Sequence, residues 1–232
     1  KKIIKHNPLP QFTYISKKPS KTRGLYVTQA KTNFKSIRKI LHTTAKYNIN
    51  SLVLDVKNAH GHLLFSEDNL RIVKNYNFHN YELSVQKNQL IEYLKSRGIY
   101  LIGRIVVFKD KLYAKKHPDL SYKKTPGNKI WIDPYNKKYW NYILLLVKTS
   151  ILFGFDEIQL DYVRFPVAKQ ILSNDQKQKR EELIYKFIRR VHEVTSQYST
   201  YLSADIFGDS INYSNASTIG QNWDKIATVL DY

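Results

Sequence analysis

Short runs of aliphatic and β-branched residues alternate along this chain with longer segments whose apolar positions recur every three or four residues. That alternation predicts βαβ units around a parallel sheet. The predicted strands are Gly24 to Thr28, Ser51 to Lys57, Tyr100 to Phe108, Glu157 to Arg164 and Tyr201 to Phe207, with a sixth expected to begin near Val229. Between the first two, Phe34, Ile37, Ile40 and Leu41 form one helical face behind Asn33, whose side-chain oxygen suits it to cap the free N–H groups of a first turn. Ser84 is placed to cap a second helix carrying Leu90, Ile91 and Leu94. A third helix starts near Lys137, sets Trp140, Ile143, Leu144, Val147 and Ile151 on one side, and is stopped by Gly154. A fourth runs from about Asp175 to Gln197 and stacks Leu183, Ile184, Phe187, Ile188, Val191 and Val194.

The stretches His62 to Tyr81 and Lys109 to Tyr135 are too long for plain βα turns, and both follow strand C-termini, where barrel enzymes carry substrate-binding loops. No Gly-x-Gly-x-x-Gly or Walker-type phosphate loop follows any strand, so a (β/α)8 TIM barrel is favoured over an open doubly wound sheet. With 232 residues, of which 42% are hydrophobic, the expectation is one α/β barrel domain over residues 21–232 behind an N-terminal extension over 1–20.

Strand side chains alternate sides, so polar residues at alternate positions in apolar strands share a face. This turns Asp55 and Lys57 inward on the second strand, Arg104 on the third, Gln159 and Asp161 on the fourth, and Asp205 on the fifth. Charges in a barrel lumen are costly unless paired. A buried ion-pair network, Asp55 with Lys57 or Asp161 with Arg104, is therefore one reading. The other is an active site, since a purely structural lumen is more easily filled with Val, Ile and Leu.

Asp161 and Asp205 end neighbouring strands, and glycosidic hydrolysis requires two carboxylates flanking the bond. One protonates the departing oxygen, and the other attacks the anomeric carbon or activates water. Tyr113, Tyr122, Trp131, Tyr135, Phe165, Tyr213 and Trp223 offer aromatic faces on which sugar rings stack. Tyr162, Arg164 and Trp131 join Asp55, Lys57, Arg104 and Gln159 as expected substrate contacts. His60-Gly61-His62 is read as a solvated loop rather than a metal site, because no third ligand stands at telling spacing. No metal and no cofactor are expected. The absence of a Gly-x-Ser-x-Gly elbow argues against an α/β-hydrolase.

A net charge of +19 raises nucleic acid or an anionic surface as partners. Here lysine far outnumbers arginine and is scattered along the chain, so a solvated surface is the reading and nucleic acid is not expected; peripheral association with an anionic envelope surface remains. Zero cysteines exclude disulfides and thiolate catalysis. The chain opens Lys1-Lys2-Ile3-Ile4-Lys5 and has no methionine, so a signal peptide or anchor is expected outside it.

The segment from Gly154 to Pro166, Gly-Phe-Asp-Glu-Ile-Gln-Leu-Asp-Tyr-Val-Arg-Phe-Pro, resembles the signature of a bacterial family of glycoside hydrolase domains once catalogued as a domain of unknown function. Three further segments agree in order: Asp55-Val56-Lys57 followed by Gly61, Arg104 to Asp110, and Ser203 to Gly208. The resemblance implies a TIM barrel distantly similar to α-amylase-type hydrolases, with Asp161 as nucleophile and Asp205 as acid/base. It also implies an envelope or secreted location and a polysaccharide or peptidoglycan strand as substrate. Two positions depart: amylase-type enzymes use Glu as acid, and Asn58 stands where the family tends to carry Asp. Those departures motivate the alternative of a non-catalytic glycan-binding or scaffold barrel. The chain stops at Val229-Leu230-Asp231-Tyr232, where the family continues into further βα units, so a barrel incomplete at its C-terminal end is expected.

Overall fold

The computed structural model describes residues 18–65, 85–122, 130–167, 171–210 and 216–232. The proposed cap Ser84, Tyr213, residues 1–17 of the extension and parts of both long loops lie outside them. Five parallel strands stand in chain order, β1 (Gly24–Val27), β2 (Ser51–Lys57), β3 (Tyr100–Val106), β4 (Glu157–Asp161) and β5 (Tyr201–Ala204). Sequential parallel order with a helix behind each crossover is the arrangement of consecutive βα units in a barrel. Among the described residues the sheet is not closed.

The helices are α1 (Phe34–Thr44), α2 (Val85–Ser96), α3 (Lys111–Lys116), α4 (Lys137–Leu152), α5 (Asn174–Gln197), α6 (Ala216–Ile219) and α7 (Trp223–Ile226). Asn33 caps α1, accepting the Ser36 N–H at 3.0 Å. Gly154 ends α4 with φ of +91°, a conformation that suits a residue without Cβ. The start of α5 is fixed by a reciprocal capping box in which Ser173 and Gln176 each bond the other's backbone N–H. No described helix is long and apolar enough to cross a membrane.

Alternation sorts the sheet as the sequence indicates. Leu52, Leu54, Val56, Ile158 and Leu160 are fully buried in the core formed with the helices. Gly103 belongs to this packed side, since a Cβ there would lie 3.0 Å from Phe155 and 3.1 Å from Val56. The expected third, fourth and fifth strands run past the observed ends: Val107 N–H still reaches the Asp161 carbonyl at 2.7 Å, but β4 ends there as Tyr162 turns to φ of +50°. The sixth strand expected near Val229 is not formed there: residues 227–229 make a 3-10 turn. Only at Leu230 does the backbone extend, and the Asp231 N–H then bonds the Leu202 carbonyl at 2.9 Å.

Candidate active site

The C-terminal ends of β1 to β5 bring together a connected polar row. Tyr26 on β1 donates its hydroxyl to Asp55 Oδ2 on β2 at 2.6 Å. Asp55 Oδ1 accepts from Arg104 Nη1 on β3 at 2.6 Å, and the same guanidinium turns its Nε (3.0 Å) and Nη2 onto Asp161 Oδ2 at the end of β4. The other Asp161 oxygen accepts the N–H of Tyr162 at 2.6 Å. Tyr162 itself adopts the left-handed conformation, unusual for a bulky residue. Beside the row, Gln159 donates to Asp205 Oδ1 at 2.9 Å, and the Asp205 N–H continues the sheet ladder onto the Leu160 carbonyl at 2.8 Å.

The two carboxylates at the strand ends are treated differently. Arg104 and a backbone N–H hold Asp161 on both oxygens, a charge-assisted arrangement. Burial, and then the negative charge of Asp161, push the Asp205 carboxyl above its usual range, with Arg104 and Gln159 opposing. Burial works against the charge on Arg104, but its bonds to Asp55 and the field of Asp161 outweigh it and raise its pKa further. Tyr26 is pushed up to about 12 by desolvation and by its bond to Asp55, so it acts as a donor.

Of the expected contacts, Asp55, Arg104, Gln159, Asp161 and Asp205 therefore converge. Trp131 is buried, its ring 5.8 Å from that of Tyr162, and the Arg164 guanidinium carbon lies 5.1 Å from the Trp131 centroid. Lys57 is placed elsewhere. The register slips by one residue between Asp55 and Lys57, and the fully buried ammonium meets the Val106 carbonyl at 2.5 Å and Asp110 at 3.1 Å. The expected substrate contact at Lys57 is thus a closed structural ion pair, and so is the expected Asp55–Lys57 pairing replaced. Among the other aromatics, Tyr113 packs against Tyr139 and Tyr142, and Trp223 is exposed on α7.

His60 and His62 stack with centroids 6.0 Å apart on a turn organised by Asn58, whose Oδ1 accepts both backbone N–H groups. Among the described residues no group of three His, Asp or Glu could hold a metal. Asn58 Nδ2 donates to Gln29 Oε1 at 2.9 Å, a bond that a carboxylate could not make, which gives the departure at this position a local reason. Gly61, at φ of +89°, lies so close to Asp110 that a Cβ would sit 2.2 Å from its Oδ1. Gly61→Ala is expected to cost about 1–3 kcal/mol in urea unfolding, from backbone strain and displacement of that carboxylate.

Tyr26, Lys109 and Phe207 also border the site and were not singled out from the sequence. Tyr26 was readable, since alternation that turns Leu25 and Val27 outward turns it inward. Glu157 was readable by the same rule. It lies inward at the opposite end of β4, accepting from Tyr100 at 3.0 Å and Ser203 at 2.6 Å.

Residues 24–232 match the family described as "Putative glycosyl hydrolase domain". The chain belongs to that family. It is a glycoside hydrolase domain, and its parallel α/β architecture is shared with TIM-barrel glycosidases of known structure. A hypothetical protein from Ruminiclostridium thermocellum superposes with a TM-score of 0.63 at 28% identity, covering 79% of this chain and 98% of that one. Chitobiase from Flavobacterium johnsoniae gives 0.54 at 15% identity over 79% of this chain and 31% of its own. Isomaltulose synthase from Erwinia rhapontici gives 0.53 at 15% over 90% and 47%. The domain thus spans less than half of those two enzymes, and at such identity the likeness concerns the fold. No curated protein matches the chain.

Proposed function

We propose that this domain cleaves an envelope polysaccharide or peptidoglycan glycan strand by a two-carboxylate mechanism, with Asp161 as nucleophile and Asp205 as acid/base. The observation that carries the proposal is the contrast between the two carboxyl groups. Asp161 has both oxygens engaged by N–H donors, whereas Asp205 has its pKa raised by burial and then by the negative charge of Asp161. A proton held by Asp205 would pass to the departing glycosidic oxygen while Asp161 attacks the anomeric carbon. Water activated by the deprotonated Asp205 would then release the sugar. Asp55, Gln159, Tyr162, Arg164 and Trp131 would orient the sugar, together with Tyr26.

Exposure argues against a purely structural reading of the Asp161–Arg104 pair. Its side chains are 18% and 19% exposed, open to a ligand, while the Lys57–Asp110 pair is sealed at 0% and 1%. The charge of +19 supports work against an anionic envelope surface, and a location outside the cytoplasm is part of the same proposal.

The test is incubation with defined peptidoglycan strands and other envelope polysaccharides, with products identified by mass spectrometry. Asp205→Asn is expected to lower turnover about 10²–10⁴-fold. Because the acid must be protonated, wild-type kcat/KM should fall as pH rises through a pKa above the ordinary carboxylate range. That alkaline limb should vanish in the variant. An unchanged limb would remove Asp205 from the acid role.

A further inference from the structure

The Trp131 side of the site carries two cations that form no ion pair among the described residues, although the charge of Asp161 reaches Arg164. Arg164, buried three residues beyond Asp161, uses Nη1 to donate to the Phe165 carbonyl at 3.0 Å. Its guanidinium carbon lies 4.5, 5.1 and 5.5 Å from the ring centroids of Phe207, Trp131 and Tyr162. Lys109 holds its ammonium 4.7 Å from the Tyr162 centroid. Among the described residues neither cation has a carboxylate partner, whereas Arg104 in the same site has two. Taking a guanidinium out of water without a counter-charge is costly, and aromatic faces recover only part of the cost. A residue needed there for packing alone would be cheaper as Leu or Met. Two cations without an ion-pair partner among the described residues, beside the ring that follows Asp161, match a negative charge brought by the ligand. Since Asp55 and Asp161 already share Arg104, such an anion would not meet bare carboxylates.

We propose that the saccharide bound next to Asp161 is acidic, its carboxylate or phosphate being received by Arg164 and Lys109 beside Tyr162. The proposal rests on the glycosidase reading of the site and narrows its substrate class. Arg164 supplies a planar fork suited to bidentate capture of an oxyanion, and Lys109 a mobile point charge.

Calorimetry on Asp161→Asn protein separates binding from turnover. The probes are matched pairs: oligogalacturonate against its carboxyl-reduced form, a muramic-acid-containing disaccharide against its methyl ester, and a 6-phosphorylated disaccharide against its dephosphorylated form. At least one acidic member should bind about tenfold or more tightly than its neutral twin, and which pair responds distinguishes carboxylate from phosphate. That preference should collapse toward unity when Arg164→Gln is added, and shrink with Lys109→Gln, a partly exposed position. Lys35→Gln on the exposed face of α1 should leave it intact. Equal affinity within every pair, including no binding by any member, overturns the proposal, as does an equal loss from Lys35→Gln, which would assign the preference to net charge. An acidic preference without turnover of any bound glycan by the wild type would instead sink the hydrolase reading and leave the anion site standing.

Discussion

Asp161→Asn is expected to lower glycan turnover by roughly 10⁴-fold or more, the scale seen when a nucleophile is removed from a catalytic unit that acts together. The substitution is nearly isosteric. Its amide oxygen can still accept from Arg104 or from the Tyr162 N–H, so the turn at φ of +50° and the row from Tyr26 to Asp161 have no reason to collapse. What is lost is the negative charge that attacks, or stabilises positive charge at, the anomeric carbon. Loss of that charge also relieves Asp205 of one of the influences that raise its pKa. Any residual activity should therefore show an alkaline limb displaced to lower pH. Product profiles from wild type and variant on the same glycan panel decide the matter, with thermal unfolding recorded to show that both are folded. Identical profiles would end the nucleophile assignment.

The route from sequence to this site was short where local rules suffice. Asp55, Arg104, Gln159, Asp161 and Asp205 were all legible because period-two alternation within apolar strands determines which side chains face inward, and the structure brings them to one end of the sheet. Helix α1 was legible down to its cap, since Asn33 and the apolar face of Phe34, Ile37 and Ile40 are both local signals. Pairing between distant residues was not legible. Asp55 and Lys57 look alike to an alternation rule, yet the register slip lets one meet Arg104 and sends the other to Asp110, a residue in the loop after β3. Helix α3 was hidden inside a stretch read as irregular. Its signal was Asp110, which accepts the Tyr113 N–H at 2.9 Å as an N-cap, but a helix of 6 residues is too short to show a periodic face. Arg164 was named from the sequence as a substrate contact. That it stands among three aromatic rings without a carboxylate partner among the described residues is a property of the folded chain.

Lys57→Met is expected to cost about 1–3 kcal/mol of stability at neutral pH, because Asp110 and the Val106 carbonyl lose a buried hydrogen-bond donor that even a neutral amine would supply. The Asp110 side chain is 1% exposed, and with Lys57 gone it keeps, among the described residues, the Tyr113 N–H and the Tyr139 hydroxyl, which lies 3.0 Å from Oδ2. Adding Asp110→Asn should recover part of the loss, since neither charge then remains; full additivity of the two substitutions would contradict the coupling. The same pair predicts a pH dependence. Burial pulls Lys57 from 10.5 to about 8, with Asp110 pushing back. The folded state thus holds this proton less tightly than the unfolded chain, which binds more protons between those values. Stability attributable to Lys57 should therefore rise with pH from about 8 upward, toward a total on the order of 3 kcal/mol by the time both states are neutral. The rise should be read below pH 10, because Tyr26, Tyr100 and Tyr139 keep their protons more firmly in the fold and contribute the opposite slope above it. Urea unfolding from pH 7.5 to 9.5, compared between wild type and Lys57→Met, isolates the effect. Parallel curves would show that the buried ammonium is not the source of the slope.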